Sequence, residues 1–209
     1  MVVDDSFFQR TDVVKIAKDM IGMRIFTSTD GIITGGYITE TEAYAGTTDK
    51  ASHAYNGKFT HRTKVMYDDG GTVYIYLCYG IHSLLNIVTN KKDIPHAVLI
   101  RSISPFLGKD IMLKRLKKQE ENKKTFYGPG NVSKALNINY LQSGIKLNKI
   151  INQSIESKNK FLNFNKGYKI WIEDRNMEIS DRNIEISSRI GVDYAQEDAL
   201  LPYRFTLKI

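Results

Sequence analysis

The stretch ITETEAY, Ile38 to Tyr44, sets carboxylates at Glu40 and Glu42 and a phenol at Tyr44, each two residues from the last. On an extended strand this spacing turns Ile38, Glu40, Glu42 and Tyr44 to one face, and Tyr37, Thr39, Thr41 and Ala43 to the other. Carboxylates so placed suit the cleavage of glycosidic bonds, where one can stabilise an oxocarbenium-like transition state while it activates water or attacks as a nucleophile. Their mutual repulsion would raise one of the two pKa values, and a nearby arginine would oppose that. Taken alone, these residues leave an O-glycosidase, an N-glycosidase and a metal hydrolase open. For Glu40 the simplest alternative is a charge at a strand edge.

A second stretch, GGTVYIYLCYGIHSLLNIV from Gly70 to Val88, places Tyr74, Tyr76 and Cys78 on one face and Val73, Ile75, Leu77 and Tyr79 on the other. Gly80 is the permissive residue of YGIH, so the chain is expected to turn there, with apolar alternation resuming through Leu84, Leu85, Ile87 and Val88. Tyr79 then lies near a hairpin tip. Tyrosines in strands ordinarily pack on their neighbours. One held out on a rigid hairpin could instead enter a base stack.

Other chemistries find less support. His53, His61, His82, His96 and Cys78 show no zinc spacing, although Glu40 and Glu42 with His53 could in principle hold a divalent ion. YGPGNVSKAL has neither a Walker nor a dinucleotide spacing; its glycines read as a turn before a helix whose backbone N–H groups could still hold a phosphate. No Ser–His–Asp order and no nucleophilic-cysteine signature appears, and Cys78 between Leu77 and Tyr79 reads as structural.

The elements that must position these residues follow from the patterning. The 209 residues, 42% of them hydrophobic, suffice for one core, so 1–209 is expected to form one domain. Val13, Val14, Ile16, Ala17 and Ile21 predict a helix over Thr11–Ile21 that stops at Gly22. Met23–Thr27 and Gly31–Tyr44 read as strands joined by the turn STDG. The polar run AGTTDKASHAYNGKFTHRTK reads as a surface loop. Gly71–Thr89, Ala97–Ile103, Tyr168–Glu173 and Arg204–Ile209 read as further strands, and the polar stretch Asn148–Lys166 as a mobile or variable insertion. The result is an α+β class, built on antiparallel hairpins rather than βαβ units.

Bulk properties narrow the setting. The net charge of +7 weakly favours a polyanionic partner. The lysines of GKDIMLKRLKKQEENKKTF read as the solvated face of a helix that buries Ile111, Met112, Leu113 and Leu116. A single cysteine points to a reducing compartment, the start MVVDDSFFQR lacks signal-peptide character, and no stretch resembles a membrane span. A cytoplasmic protein is expected.

Together, these residues resemble the alkyladenine (3-methyladenine) DNA glycosylases of the mammalian type, which occur also in bacteria. The resemblance runs collinearly through ITETEAYAGTTDKASHAYNGKFTHRTKVMY, GGTVYIYLCYGIHSLLNIVTN, AVLIRSISP, GPGNVSKALNI and SSRIGVDYAQEDALLPYRF. It implies a curved antiparallel sheet flanked by helices, with a β-hairpin that inserts into the DNA minor groove. It also implies hydrolysis of the N-glycosidic bond of damaged purines in double-stranded DNA, without cofactor, metal, membrane or obligate protein partner, by a monomer. On the matching positions, Glu42 is implied as the general base, with Arg101 and the backbone carbonyl of Val192 holding the attacking water. Tyr44 and Tyr76 are implied to sandwich the flipped base, His53 to line the same pocket, and Asn86 to face the purine's minor-groove edge. Tyr79 is implied to fill the gap that the flipped nucleotide leaves. Thr63, Asp193 and Tyr194 depart from the family's usual residues, and AQEDALLPYRF lacks its usual Gly and Trp, which bears on lesion preference and DNA affinity.

Two rivals are distinguishable. A catalytically silent DNA-binding module would keep the tyrosines but would not need Glu42 and Arg101 together. A sugar or nucleoside hydrolase would keep the carboxylate without needing Tyr79 at a hairpin tip.

Overall fold

Aspartates open the first helices. Asp4 caps α1 (Asp5–Phe8) and Asp12 caps α2 (Val13–Asp19), each accepting a backbone N–H of the first turn. Helix α2 buries Val13, Ile16 and Ala17, the stripe that its sequence predicts. In this computed structural model the described residues are 1–150, 167–175 and 179–208, with the backbone of 155–157 and 160–162. Strands β1 (Arg24–Thr29) and β2 (Ile32–Tyr44) follow, joined through Asp30 and Gly31. Both joining residues have positive φ, 53° and 85°, as the twist of a two-residue hairpin requires.

The next segment differs from expectation. The polar run after Tyr44 is a surface loop only in part: Tyr55 to Arg62 are exposed, while its two ends fold inward around the short 3₁₀ turns Gly46–Thr48 and Thr63–Tyr67. Asp49, Ala51, Ser52, Ala54 and Thr63 are buried. Polar composition misled here because Asp49 and Thr63 satisfy the backbone from within, by side-chain hydrogen bonds to Ala45, Ala51, Thr60 and Lys58.

Strands β3 (Val73–Cys78), β4 (His82–Thr89) and β5 (His96–Leu107) come next, then helices α3 (Lys109–Leu116) and α4 (Pro129–Ala135). Met112, Leu113 and Leu116 of α3 are buried and its lysines exposed, as the pattern predicts, while Ile111 is only half-buried. Proline opens α4, where its missing N–H costs nothing. A short pair, β6 (Ile155–Ser157) and β7 (Lys160–Leu162), precedes β8 (Tyr168–Glu173), β9 (Ile184–Ser187) and β10 (Arg204–Leu207). Most of the stretch read as an insertion, Asn148–Lys166, lies outside the described residues.

The main sheet runs β3-β4-β5-β2-β1-β8, with β10 also on β2 and β9 on β10, and its pairings are antiparallel. Strand β2 is its axle. One edge of β2 pairs along its length with β5, while the other meets β1 over Ile32–Tyr37 and then β10 over Glu40–Glu42. The change of partner curls the sheet around the second half of β2, where the carboxylates lie. The main core packs α2, α3 and α4 on this sheet. Among the described residues no helix is long and apolar enough to cross a membrane.

Candidate active site

The register of β2 against β5 places the carboxylates. Ile38 pairs with Ile103, Glu40 with Ser102 and Thr41 with Ile100, so Thr39 is extra on β2 and Arg101 extra on β5. Such bulges re-aim side chains. The single face expected to carry Ile38, Glu40, Glu42 and Tyr44 is therefore interrupted. Ile38 joins the main core with Ala43, and the alternation restarts at Glu40. Arg101, released from the ladder, turns to both carboxylates: its Nε donates to Glu40 Oε1 at 3.0 Å, and its Nη1 lies 3.3 Å from Glu42 Oε2.

Glu40 is not an edge charge. It is fully buried, and its Oε1 also accepts Arg204 Nη1 at 3.1 Å from β10, so one carboxylate oxygen ties together three strands. A buried carboxylate needs such partners. Its place is to hold Arg101.

Glu42, also fully buried, takes a different set of partners. Its Oε1 accepts the backbone N–H of Ile190 at 2.8 Å, and its Oε2 accepts the Tyr44 hydroxyl at 2.8 Å. Burial raises its pKa, opposed by Arg101, the Ile190 N–H and the Tyr44 hydroxyl; repulsion from Glu40 is the least of the causes. The upward shift expected from the sequence is present, but its main cause is desolvation. Burial, then the Glu42 charge, holds the Tyr44 phenol well above its ordinary range.

Beside this floor lies a cavity of about 200 Å³. Tyr44, His53, Tyr76, Asn86, Arg101 and Val192, all named from the sequence, line it together with Tyr79. Glu42 does not line it; its two Oε2 partners, Tyr44 and Arg101, stand between. The walls are aromatic. His53 Nδ1 is 2.8 Å from the Tyr74 hydroxyl, and the His53 ring stands edge-on to Tyr76 at 4.5 Å. Burial, with Arg62 and Lys58 nearby, pushes the His53 pKa down to about 4, so the imidazole is neutral at physiological pH. Asn86 donates from Nδ2 to the carbonyls of Leu84 and Tyr74, which fixes its orientation. The Val192 carbonyl accepts the Ala195 N–H at 2.8 Å and keeps one lone pair. Among the described residues no group of three or more His, Cys, Asp or Glu side chains could hold a metal ion.

Tyr79 sits at the tip between β3 and β4 and is 91% exposed. Tyr79 and Gly80 have φ of 49° and 71°, and Ile81 N–H closes the turn on the Cys78 carbonyl at 3.0 Å. For a bulky residue a positive φ is unusual and carries strain. The packing alternative is ruled out here, because the ring touches solvent rather than a core.

A larger cleft of about 720 Å³ lies between α2 and the segment after β8. Two of its carboxylates are held in ion pairs, Asp181 with Lys18 and Asp19 with Arg10. Phe7, Asp174 and Arg175 also line it, but it has none of the tyrosines and no histidine of the wall found under Tyr79.

The family profile of methylpurine-DNA glycosylases matches residues 6–209. The chain belongs to the methylpurine-DNA glycosylase family. A Chlamydia abortus protein named "Putative 3-methyladenine DNA glycosylase" is 43% identical over 211 residues, covering 100% of this chain and 99% of its own. Proteins of the same name from Chlamydia pneumoniae and Clostridium perfringens are 40% and 38% identical, over 99% and 96% of this chain and 95% and 93% of theirs.

Three residues around this candidate site of the methylpurine-DNA glycosylase chain escaped the sequence reading. Tyr74 backs His53; Asp49 and Arg189 form a buried ion pair behind Tyr44. Asp49 sat in a run whose polarity signalled surface, and nothing in SSRIGV marks its arginine as buried. Tyr194, noted only as a departure, lines the cavity and donates its hydroxyl to the Ala51 carbonyl at 3.1 Å.

Proposed function

We propose that this chain, acting as a monomeric cytoplasmic enzyme with one domain over 1–209, excises alkylated or deaminated purines from duplex DNA. Candidate lesions are 3-methyladenine, 7-methylguanine, hypoxanthine and ethenoadenine. It hydrolyses the N-glycosidic bond and leaves an abasic site. Membership in the methylpurine-DNA glycosylase family supports the reaction class. The observation that carries the mechanism is Glu42, held between Arg101 and Tyr44 behind an aromatic cavity whose rim bears an exposed tyrosine.

In this reading Tyr79 enters the duplex and replaces the stacking lost when the nucleotide turns out. Extrusion costs a few kcal/mol, least for a damaged or badly paired base. The purine lies between Tyr44 and Tyr76, beside His53. An electron-rich pocket with a neutral imidazole suits a cationic alkylated purine. Asn86, fixed by its carbonyl contacts, tests the purine's minor-groove edge. Since Ile190 occupies Glu42 Oε1, Oε2 takes the proton of the attacking water, exchanging the Tyr44 hydroxyl for that water. Arg101 and the Val192 carbonyl hold the water. Its oxygen bonds to the sugar's anomeric carbon as the purine departs with the bond's electron pair; a cationic purine leaves neutral. Among the described residues no lysine lines the cavity, which supports hydrolysis over Schiff-base chemistry.

The test is incubation with duplexes carrying single 3-methyladenine, hypoxanthine or ethenoadenine residues, followed by detection of abasic sites. Release from at least one is expected. Release from none would overturn the reading.

A further inference from the structure

Arg189 donates four hydrogen bonds close to the cavity, yet it does not line it. It is buried and forks onto Asp49, Nη1 to Oδ2 at 2.5 Å and Nη2 to Oδ1 at 2.9 Å. Nη1 also donates to the Ala43 carbonyl and Nη2 to the Asp198 carbonyl. Its guanidinium lies 4.9 Å from the Tyr44 ring centroid and 5.2 Å from that of Tyr203. Asp49 in turn accepts the N–H groups of Ala45 and Ala51. One ion pair thus joins the end of β2, the segment that carries Ala51 and His53, and the C-terminal segment that carries Ile190 and Val192. Because Tyr44 lines the cavity and Arg189 does not, the guanidinium backs the ring face turned away from a bound base.

We propose that Arg189 and Asp49 are a positioning pair for base removal, fixing the Ile190 N–H on Glu42 and the Tyr44 ring against the base. The inference rests on the function proposed above. Arg189 precedes Ile190 directly, so the clamp on one sets the place of the other. The pair carries no net charge, so it fixes geometry without setting a positive field behind a pocket that takes cationic purines.

The consequence is readable in pH. The Ile190 N–H favours the charged form of Glu42, and burial favours the neutral one. With the clamp loosened, burial prevails and Glu42 titrates at higher pH. The groups facing Glu42 are Glu40 and Tyr44 on β2, Arg101 on β5, Arg204 on β10, Tyr76 on β3, and Arg189 and Tyr194 on the C-terminal segment. Arg189→Lys keeps the charge at this place and loses the fork.

The experiment measures single-turnover base release against pH, together with the Kd for a lesion duplex. For Arg189→Lys the maximal rate is expected to fall about ten- to a hundredfold, as for a small misplacement of a catalytic group. The acidic limb moves to higher pH, and the Kd stays near the wild-type value. Should melting curves show this variant unfolded, the double variant Arg189→Met with Asp49→Asn removes the clamp without leaving a buried charge unpaired, and keeps an oxygen for one of the two N–H groups, Ala45 and Ala51, that Asp49 accepts through separate oxygens. It is expected to show the same shift. An unmoved acidic limb in a folded variant would overturn the positioning role alone. Wild-type protein that releases no base would overturn the function on which it rests, and the inference with it.

Discussion

The floor of the cavity and the tip of the hairpin above it are built in opposite ways. At the floor, Glu40, Glu42, Arg101 and Arg204 are drawn from three strands, and each is held by at least one hydrogen bond or ion pair to another member or to Ile190 and Tyr44. At the tip, Tyr79 and Ile81 stand 91% and 74% exposed on a turn closed by the Ile81 N–H on the Cys78 carbonyl. The difference follows from what each does in the proposed reaction. A group that takes a proton must be fixed within a fraction of an ångström before the substrate arrives. A ring that enters a base stack needs to be available, and a partner in the free protein would have to be broken first. The floor should therefore respond to substitution in rate and stability, the tip in binding alone.

The largest expected effect tests the floor. Glu42→Gln should slow base release by about 10²–10⁴-fold, the range for removal of a general base, with binding to lesion DNA largely retained. Single-turnover rates and gel-shift titrations check this. A Glu42→Gln protein with near-normal rates would remove the floor's chemical role.

The tip comes next. Tyr79→Ala should weaken lesion-duplex binding by roughly ten- to a hundredfold, since base–aromatic stacking is worth about 1–3 kcal/mol. Its melting temperature should stay unchanged, because the ring buries little surface and alanine meets the same positive φ. Tyr79→Phe should stay close to wild type. A lowered melting temperature in Tyr79→Ala with normal binding would erase the contrast between the two regions.

Within the floor, the two carboxylates can be set apart. Glu40→Gln should cost stability, about 1–3 kcal/mol, because Arg101 and Arg204 lose a shared charged acceptor. Its rate should fall far less than that of Glu42→Gln. Denaturant melts paired with rates decide it, and a greater rate loss at Glu40 than at Glu42 would exchange their roles.

The smallest effect concerns the wall. His53 has its pKa lowered to about 4 in the folded protein, against an ordinary value of 6.5. The unfolded chain therefore binds this proton first as pH falls, so stability from the neutral imidazole is present above pH 6.5 and declines between 6.5 and 4. His53→Gln should flatten the pH dependence of the melting temperature in that window. An unchanged slope would show that the imidazole is not held neutral.

The sequence by itself determined the class of fold, most strand positions, the hairpin tip at Tyr79, and a cavity-lining set from Tyr44 to Val192. These are legible because strand alternation, glycine-marked turns and helix caps act over a few residues, and because the motifs that carry the family resemblance are collinear. Only the tertiary structure decided how the chemistry is held. A bulge at Thr39 and another at Arg101 reset the faces of β2 and β5, and no local pattern encodes a one-residue slip between strands so far apart in the chain. Burial, not repulsion from Glu40, governs Glu42, because its solvent exclusion comes from strands and loops far apart in the chain. Asp49 lies in a run that reads as surface and Arg189 carries no local signal, yet folding brings 140 residues of separation down to a pair of hydrogen bonds. An ion pair of that kind has no sequence signal, since each partner is chosen by the place the fold gives the other.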